Sequence, residues 1–279
     1  MKLGLGTAQL GLDYGIANRT GKPDNADAMA ILRTAAQGGV EYFDTASAYG
    51  DSEEIIGGFI KESGFKPKLC SKFTDCASAK LELQESLKRL GVGKLDYFLL
   101  HRPEQVFLPM FSELLESFRQ EPTVGKVGVS VYDASEIEES LKHDVKVIQI
   151  PFNIIDSRFI RSGLLERAKS QGVELHARSI YLQGLLITDT PQKPTEAGKY
   201  LKLLDSLATG QGISVKELCF LYVRDCAYID RFFIGCETVG QVEENLALYK
   251  LPKLTKEFIN RVPLIFADVP DEIVNPSLW

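Results

Sequence analysis

The chain has 279 residues, 44% of them hydrophobic and 25% charged, the balance of a globular protein with an ample core. Its net charge of −6 comes from interspersed acidic and basic residues, which argues against a nucleic-acid surface. No apolar run approaches the roughly 20 residues of a membrane span, and Met1-Lys2 leads into a strand-like segment rather than a signal core, so no membrane association and a cytoplasmic location are expected.

In chain order, an apolar run at Lys2–Gly6 precedes a helical pattern over Ala26–Gln37, and a run at Glu41–Thr45 precedes one over Ser52–Glu62. Asp51, with Glu54 three residues on, has the spacing of a capping box. The run Lys68–Phe73 leads to a helix over Ser78–Leu90 that Gly91 should stop, and Asp96–His101 leads to one over Met110–Gln120. Runs at Gly125–Val131, Val145–Phe152 and Glu174–Ile180 precede helices at Ser135–Lys142, Ser162–Gln171 and Ala197–Ala208. A further helix at Ser214–Arg224 comes before the eighth run, Arg231–Cys236, and Gln241–Tyr249 follows it. Cys70, Cys76, Cys219, Cys226 and Cys236 are scattered, odd in number and form no CxxC pair. Reduced thiols are expected rather than a disulfide or metal framework.

Apolar runs without clean alternation are strands buried on both faces, for which parallel strands with helical crossovers are the usual cause. No Gly/Ser-rich linker divides the chain, so residues 1–279 read as a single domain. Eight such units in this length match an α/β fold of the (β/α)8 TIM-barrel type. A doubly wound open sheet uses the same units, and the placement of the reactive residues has to decide between the two.

Three early strands end in reactive side chains: Asp44 with Tyr49 shortly beyond, Lys72, and His101. In a parallel barrel these ends share one rim. The set has a chemical use there. A tyrosine is a poor proton donor near neutrality, with a pKa of about 10. A lysine ammonium beside it favours the phenolate, and a carboxylate holds the lysine charged and in place. A neutral histidine can polarise a carbonyl group. Together they make a general acid facing a carbonyl that receives hydride at carbon. Taken singly, Asp44 has an ordinary use as a turn cap, Lys72 as a strand-end charge, Tyr49 as a loop aromatic and His101 as an interior histidine. Their conjunction on successive strand ends points to chemistry.

The segments Phe43-Asp44-Thr45-Ala46 … Tyr49-Gly50, Ser71-Lys72 and Leu99-Leu100-His101-Arg102-Pro103 resemble the signatures of the aldo-keto reductase family in order and spacing. The resemblance runs from Leu3 to about Asn245. It implies the (β/α)8 barrel, a nicotinamide cofactor held without a Rossmann domain, and a small-molecule carbonyl substrate. By position it implies Tyr49 as the acid, Lys72 as its modulator, Asp44 as the lysine's partner and His101 as the carbonyl-orienting group.

Gly4-Leu5-Gly6-Thr7-Ala8-Gln9 begins like the GxGxxG fingerprint, but the third glycine is absent and Leu10–Gly15 is glycine-broken rather than helical. In the resembling family this turn lies beside the nicotinamide, which makes Gly6 and Thr7 candidate contacts. Ser130 and Gln149 match residues that hold the carboxamide, although Val131 stands where an asparagine often follows the serine. Arg178 stands where members often carry a stacking aromatic, and its guanidinium can stack or form a salt bridge. Ser179, Gln183 and Gly184 resemble the segment that covers the pyrophosphate. Gly235, Glu237, Thr238, Gln241 and Asn245 match the adenosine-binding stretch. Family members commonly place a cation at the position of Glu237 to grip the 2′-phosphate of NADP, so the resemblance favours NADP(H) while this carboxylate favours NAD(H).

Tyr14, Phe73, Arg102, Tyr181 and the tail from Pro263 to Trp279 are candidates for a substrate pocket, the tail as a cover for the barrel mouth. Thr188–Glu196, with Pro191 and Pro194, resembles a cofactor-gating loop. Two other readings stay open at this point. One is a nicotinamide-binding regulatory or scaffold barrel without turnover. The other is a non-redox barrel enzyme, which would need paired carboxylates where only Asp44 is well placed.

Overall fold

A computed structural model describes residues 1–16, 18, 20–188 and 195–279. Eight parallel strands close into a barrel in sequence order. They are β1 Leu3–Gly6, β2 Tyr42–Asp44, β3 Lys68–Phe73, β4 Leu95–Leu100, β5 Val124–Ser130, β6 Val147–Pro151, β7 Glu174–Arg178 and β8 Arg231–Gly235. The pairing that separates a barrel from an open sheet is β1 with β8, with Leu3 opposite Phe232 and Gly6 opposite Gly235. Each expected strand forms, shifted or trimmed by only a residue or two at its ends.

Side chains alternate along each strand between the barrel interior and the surrounding helices. On β3, Cys70 and Lys72 face inward, so Phe73 faces outward and packs against Phe98 at 4.8 Å and Phe118 at 6.4 Å between ring centroids. Phe73 is therefore core rather than the pocket wall that its place at a strand end suggested. Inside the barrel, Tyr42, Cys70, Tyr97, Leu99, Val147 and Phe233 form their own apolar cluster. On the far side of that cluster from the site, the Tyr97 hydroxyl donates to Glu174 at 3.0 Å and Arg231 donates to the Tyr42 hydroxyl at 2.8 Å. The barrel is a packed core with its reactive groups at one mouth.

The helices form close to where the periodicity puts them, and the departures have local causes. Asp51 does not cap Ser52–Ser63. Its backbone, at φ −94° and ψ 15°, lacks the extended N-cap conformation, and its carboxylate pairs with Lys22 at 2.7 Å instead. Reciprocal capping boxes form at Asp133 with Glu136 and at Ser214 with Glu217. Gly91 stops Ala79–Leu90 in the left-handed conformation, as expected. One helical turn, Ala8–Gly11, runs into the start of Leu10–Gly15, the segment read as glycine-broken. The helix expected over Ser162–Gln171 runs from Leu164 to Ser170, because Gly163 at φ +73° separates it from the turn Arg158–Arg161.

A helix that the sequence reading did not anticipate covers Lys256–Ile265, capped by Thr255, with Pro263 in its last turn. The segment beyond it is held by groups from the stretches that follow β6 and β7. Ser157 donates to the Phe266 carbonyl at 3.0 Å, Arg161 to that of Ala267 at 2.6 Å and Tyr200 to that of Asp268 at 2.6 Å. All five cysteines are free and buried.

Candidate active site

Asp44, Lys72 and His101 meet at the ends of β2, β3 and β4, with Tyr49 above them. Lys72 is 0% exposed and Asp44 5%. The ammonium donates to Asp44 Oδ2 at 2.7 Å and to the Thr45 carbonyl at 2.8 Å. The Tyr49 ring lies over it, with Nζ 4.9 Å from the ring centroid, and His101 meets the same ring edge-on at 5.6 Å. The loop that carries Tyr49 is held by a close backbone approach. A Cβ on Gly11 would sit 1.8 Å from the Tyr49 carbonyl oxygen, and Gly50 turns the chain at φ +54° against the Gly11 carbonyl. Ser52 then donates its backbone N–H to Tyr49 O at 3.0 Å and its hydroxyl to Thr7 O at 3.0 Å.

The electrostatics follow from burial and from one ion pair. Burial alone would lower the Lys72 pKa, but Asp44, helped by Tyr49, more than offsets it and raises it, so the lysine stays charged. For Tyr49 the balance goes the other way. Desolvation raises its pKa, and Lys72, the largest opposing influence, only moderates the rise. The sequence reading expected the lysine to lower this pKa; its pull is present, but removal of water outweighs it. Tyr49 is therefore a protonated phenol at neutral pH. Burial, then Lys72 and Arg178, push His101 down to about 4, so it is a neutral imidazole.

That depression fixes a sign for acid stability. Between the unfolded value of about 6.5 and the folded value of about 4, the unfolded chain binds a proton that the folded chain does not. The His101 contribution therefore falls as pH drops through this window. Between pH 7 and pH 5 it should amount to roughly 1–2 kcal/mol. Urea midpoints at the two pH values should show that much less loss in His101→Gln than in the parent; equal losses would mean that His101 titrates normally.

A groove enclosing about 420 Å³ opens over the ends of β7, β8, β1 and β2. Gly6, Thr7, Asp44 and Tyr49 line one end, and Arg178, Ser179, Gln183 and Gly184 line one side. Gly235, Glu237, Gln241 and Asn245 line the other end. Thr238 does not line it; its side chain caps Val239–Tyr249 by accepting from Gln241 N at 3.3 Å. Ser130 and Gln149 are buried beneath the site. Gln149 donates to Asp44 Oδ1 at 2.8 Å and accepts from the Ser130 hydroxyl at 3.3 Å, so both ends of its amide are engaged.

Arg178 forms no salt bridge among the described residues. Its guanidinium stacks on the Tyr132 ring at 4.2 Å and donates to the Val131 carbonyl at 2.9 Å and to Ser130 Oγ at 3.3 Å. The residues with positive φ other than glycine, among the described residues, are Ser179, Leu182 and Gln183, all in the segment after β7 that borders the groove. Backbone strain concentrated in one binding segment fits a ligand-holding role. Tyr14 and Tyr181 also line the groove, whereas Arg102 is exposed and paired with Glu104 at 2.8 Å. The expected gating loop falls largely on residues 189–194, outside the described residues. No residue after Asn245 is among those lining the groove.

The model of the Aldo/keto reductase family matches residues 2–265. The chain belongs to the aldo/keto reductase family. It is 29% identical over 300 residues to aldo-keto reductase str7 of Strobilurus tenacellus, covering 92% of this chain and 85% of that protein. It is 25% identical over 295 residues to an NADH-specific methylglyoxal reductase of Escherichia coli K12, covering 88% and 89%. Among solved structures, the holo form of aldo-keto reductase AKR11C1 from Bacillus halodurans superposes with a TM-score of 0.81 at 22% identity, covering 99% and 94%. That last likeness concerns the fold alone.

This aldo/keto reductase is thus an NAD(P)H-dependent oxidoreductase acting on small carbonyl compounds, and neither the scaffold reading nor the non-redox reading is favoured. Three residues at its site escaped the sequence reading. Gln9 packs its carboxamide over Gly235, where a Cβ would come within 2.1 Å. Tyr132 carries the Arg178 guanidinium. Lys216 borders the groove, on whose lining Glu237 also lies, and pairs with Glu244. Only Gln9 had a local signal, its place just after β1. The other two lie on segments whose pattern gives no hint of where they reach.

Proposed function

We propose that this enzyme reduces an aldehyde, ketone or open-chain sugar with Tyr49 as general acid, Lys72 and Asp44 as its electrostatic support and His101 as the carbonyl-orienting donor. One observation carries the reading: a buried, charged Lys72–Asp44 pair directly beneath a protonated tyrosine whose ring also meets a neutral histidine. Nicotinamide, when bound, supplies the hydride. The chain's own groups do the rest. His101 donates a hydrogen bond to the carbonyl oxygen, and Tyr49 passes its phenolic proton to that oxygen as negative charge grows there. The Lys72 ammonium stabilises the phenolate left behind, and Asp44 keeps the ammonium in place.

The groove fits a dinucleotide on its own evidence. The Tyr181 hydroxyl and Asn245 Oδ1 belong to groove-lining residues, are buried, and have no hydrogen-bond partner among the described residues. Such atoms are costly unless a ligand or water meets them. Gly6 and Thr7 would lie beside the nicotinamide, Ser179, Gln183, Gly184 and Gly235 would border the ribose–pyrophosphate portion, and Glu237, Gln241 and Asn245 would meet the adenosine end.

The cofactor preference is read from Glu237. Its Oε2 accepts from Gln241 Nε2 at 2.8 Å while Gln241 Oε1 accepts from its backbone N–H at 2.8 Å, so the carboxylate is held in one place. A fixed carboxylate repels a 2′-phosphate and accepts from a free ribose hydroxyl. The cation at this end, Lys216, is already paired with Glu244. We therefore favour NAD(H) over NADP(H). Fluorescence titration with NADH and NADPH at one salt concentration tests both parts. Saturation by NADH at lower concentration supports the reading, and binding of neither would sink it. Glu237→Arg should shift the NADPH/NADH affinity ratio about tenfold toward NADPH, about 1.4 kcal/mol; an unchanged ratio would mean that Glu237 does not face the 2′ position.

A further inference from the structure

Charges around the catalytic end of the groove nearly cancel. Lys72 is paired with Asp44, Tyr49 is a neutral phenol and His101 a neutral imidazole. Arg178 is the exception. It borders the groove, and its hydrogen bonds among the described residues go to uncharged oxygens of Ser130, Val131 and Ser179. Stacking on Tyr132 and donation to the Val131 carbonyl fix the guanidinium in place. Its field reaches Tyr14, Tyr49 and His101, the rings around that end of the groove, and on its other side the half-buried Glu136, whose carboxylate is occupied by the backbone N–H groups of Tyr132 and Asp133.

Resting on the reductase reading, we infer that Arg178 is a redox-form selector: a fixed cation, held in no salt bridge among the described residues, that makes the site bind the reduced nicotinamide more tightly than the oxidised one. The reaction delivers a hydride to the carbonyl carbon and the Tyr49 proton to the carbonyl oxygen. The ring that gives up the hydride must therefore lie beside Tyr49, within reach of Arg178. Loss of that hydride turns a neutral dihydropyridine into a pyridinium cation. Two cations at close range among partly buried groups repel each other, whereas the neutral ring feels little. The result is a site that loads the reduced cofactor and is biased to release the oxidised one.

An aromatic at this position would contribute stacking surface with no formal charge. The guanidinium adds a preference between two ligands that differ by one charge and two electrons, while the ribose, pyrophosphate and adenine contacts remain common to both. The effect therefore appears in a ratio of affinities and cancels from any general damage to the groove.

The test measures dissociation constants for NADH and NAD+, and for NADPH and NADP+, with the parent protein, Arg178→Met and Arg178→Lys. The parent should hold each reduced form at least about tenfold more tightly than its oxidised partner. Arg178→Met should collapse that ratio toward one, and Arg178→Lys should keep most of it. A parent ratio near one, or an equal collapse in the methionine and lysine variants, would overturn the inference and leave the reductase reading standing. Binding of none of the four dinucleotides would bring down both. Thermal melts of each variant separate a changed ratio from lost fold, since unfolding lowers both affinities together.

Discussion

Replacing Tyr49 by phenylalanine should lower kcat/KM for carbonyl reduction by roughly a thousandfold, within the span typical for removal of a positioned general acid. The substitution is selective because of what it leaves. The ring stays against His101 and over Lys72, and the Gly11 approach that seats the loop involves only backbone. Only the hydroxyl goes. Cofactor affinity, measured by titration, should change by no more than about twofold, since the nicotinamide contacts proposed above do not use this oxygen. Unchanged turnover would end the Tyr49 mechanism. Because burial raises its pKa, the parent's reduction rate should stay flat through neutral pH and decline only in the alkaline range, where the proton is lost before it can be given.

Asp44→Ala should destabilise the protein by about 3–5 kcal/mol, the usual cost of stripping one partner from a buried ion pair. Asp44 accepts from Lys72 and from Gln149. Its removal leaves an ammonium with only the Thr45 carbonyl, in surroundings where burial favours the neutral amine. The Gln149 amide loses its acceptor as well. The double variant Asp44→Leu with Lys72→Met should recover most of the stability, because apolar groups of similar volume replace buried pairs at little cost. It should recover none of the activity. Urea unfolding with unchanged m-values would measure the first effect and steady-state kinetics the second. A single-variant cost below about 1 kcal/mol would show the pair to behave as an exposed one.

The barrel was legible because each strand is a short apolar run bounded by turn residues, and because Asp44, Lys72 and His101 sit at the same end of three successive runs. Parity along those runs was equally legible: if Lys72 faces in, Phe73 cannot. Other features depend on what no local window holds. The Asp51–Glu54 spacing is right for a cap, yet the backbone at Asp51 and the distant Lys22 remove the carboxylate from that task. The bond from Gln149 to Asp44 spans 105 residues of sequence. The net rise of the Tyr49 pKa comes from how much water the fold excludes, a property of the assembled site rather than of its residue list. Lys216 reads as an ordinary helical lysine until α-helix Val215–Asp225 is packed beside β8.

The closure of β1 on β8 has a consequence for how the protein is made. All four tetrad groups are in the first 101 residues, whereas Gly235, Glu237, Gln241 and Asn245 come from the last fifth of the chain. A nascent chain on the ribosome has synthesised every group of the proposed proton-transfer apparatus long before the groove exists. Until β8 emerges, β1 is an open edge, and the charge pair that depends on burial has one side of its enclosure missing. Capture of nucleotide by the growing polypeptide should therefore switch on abruptly once β8 and the helix after it clear the exit tunnel, instead of building up with length.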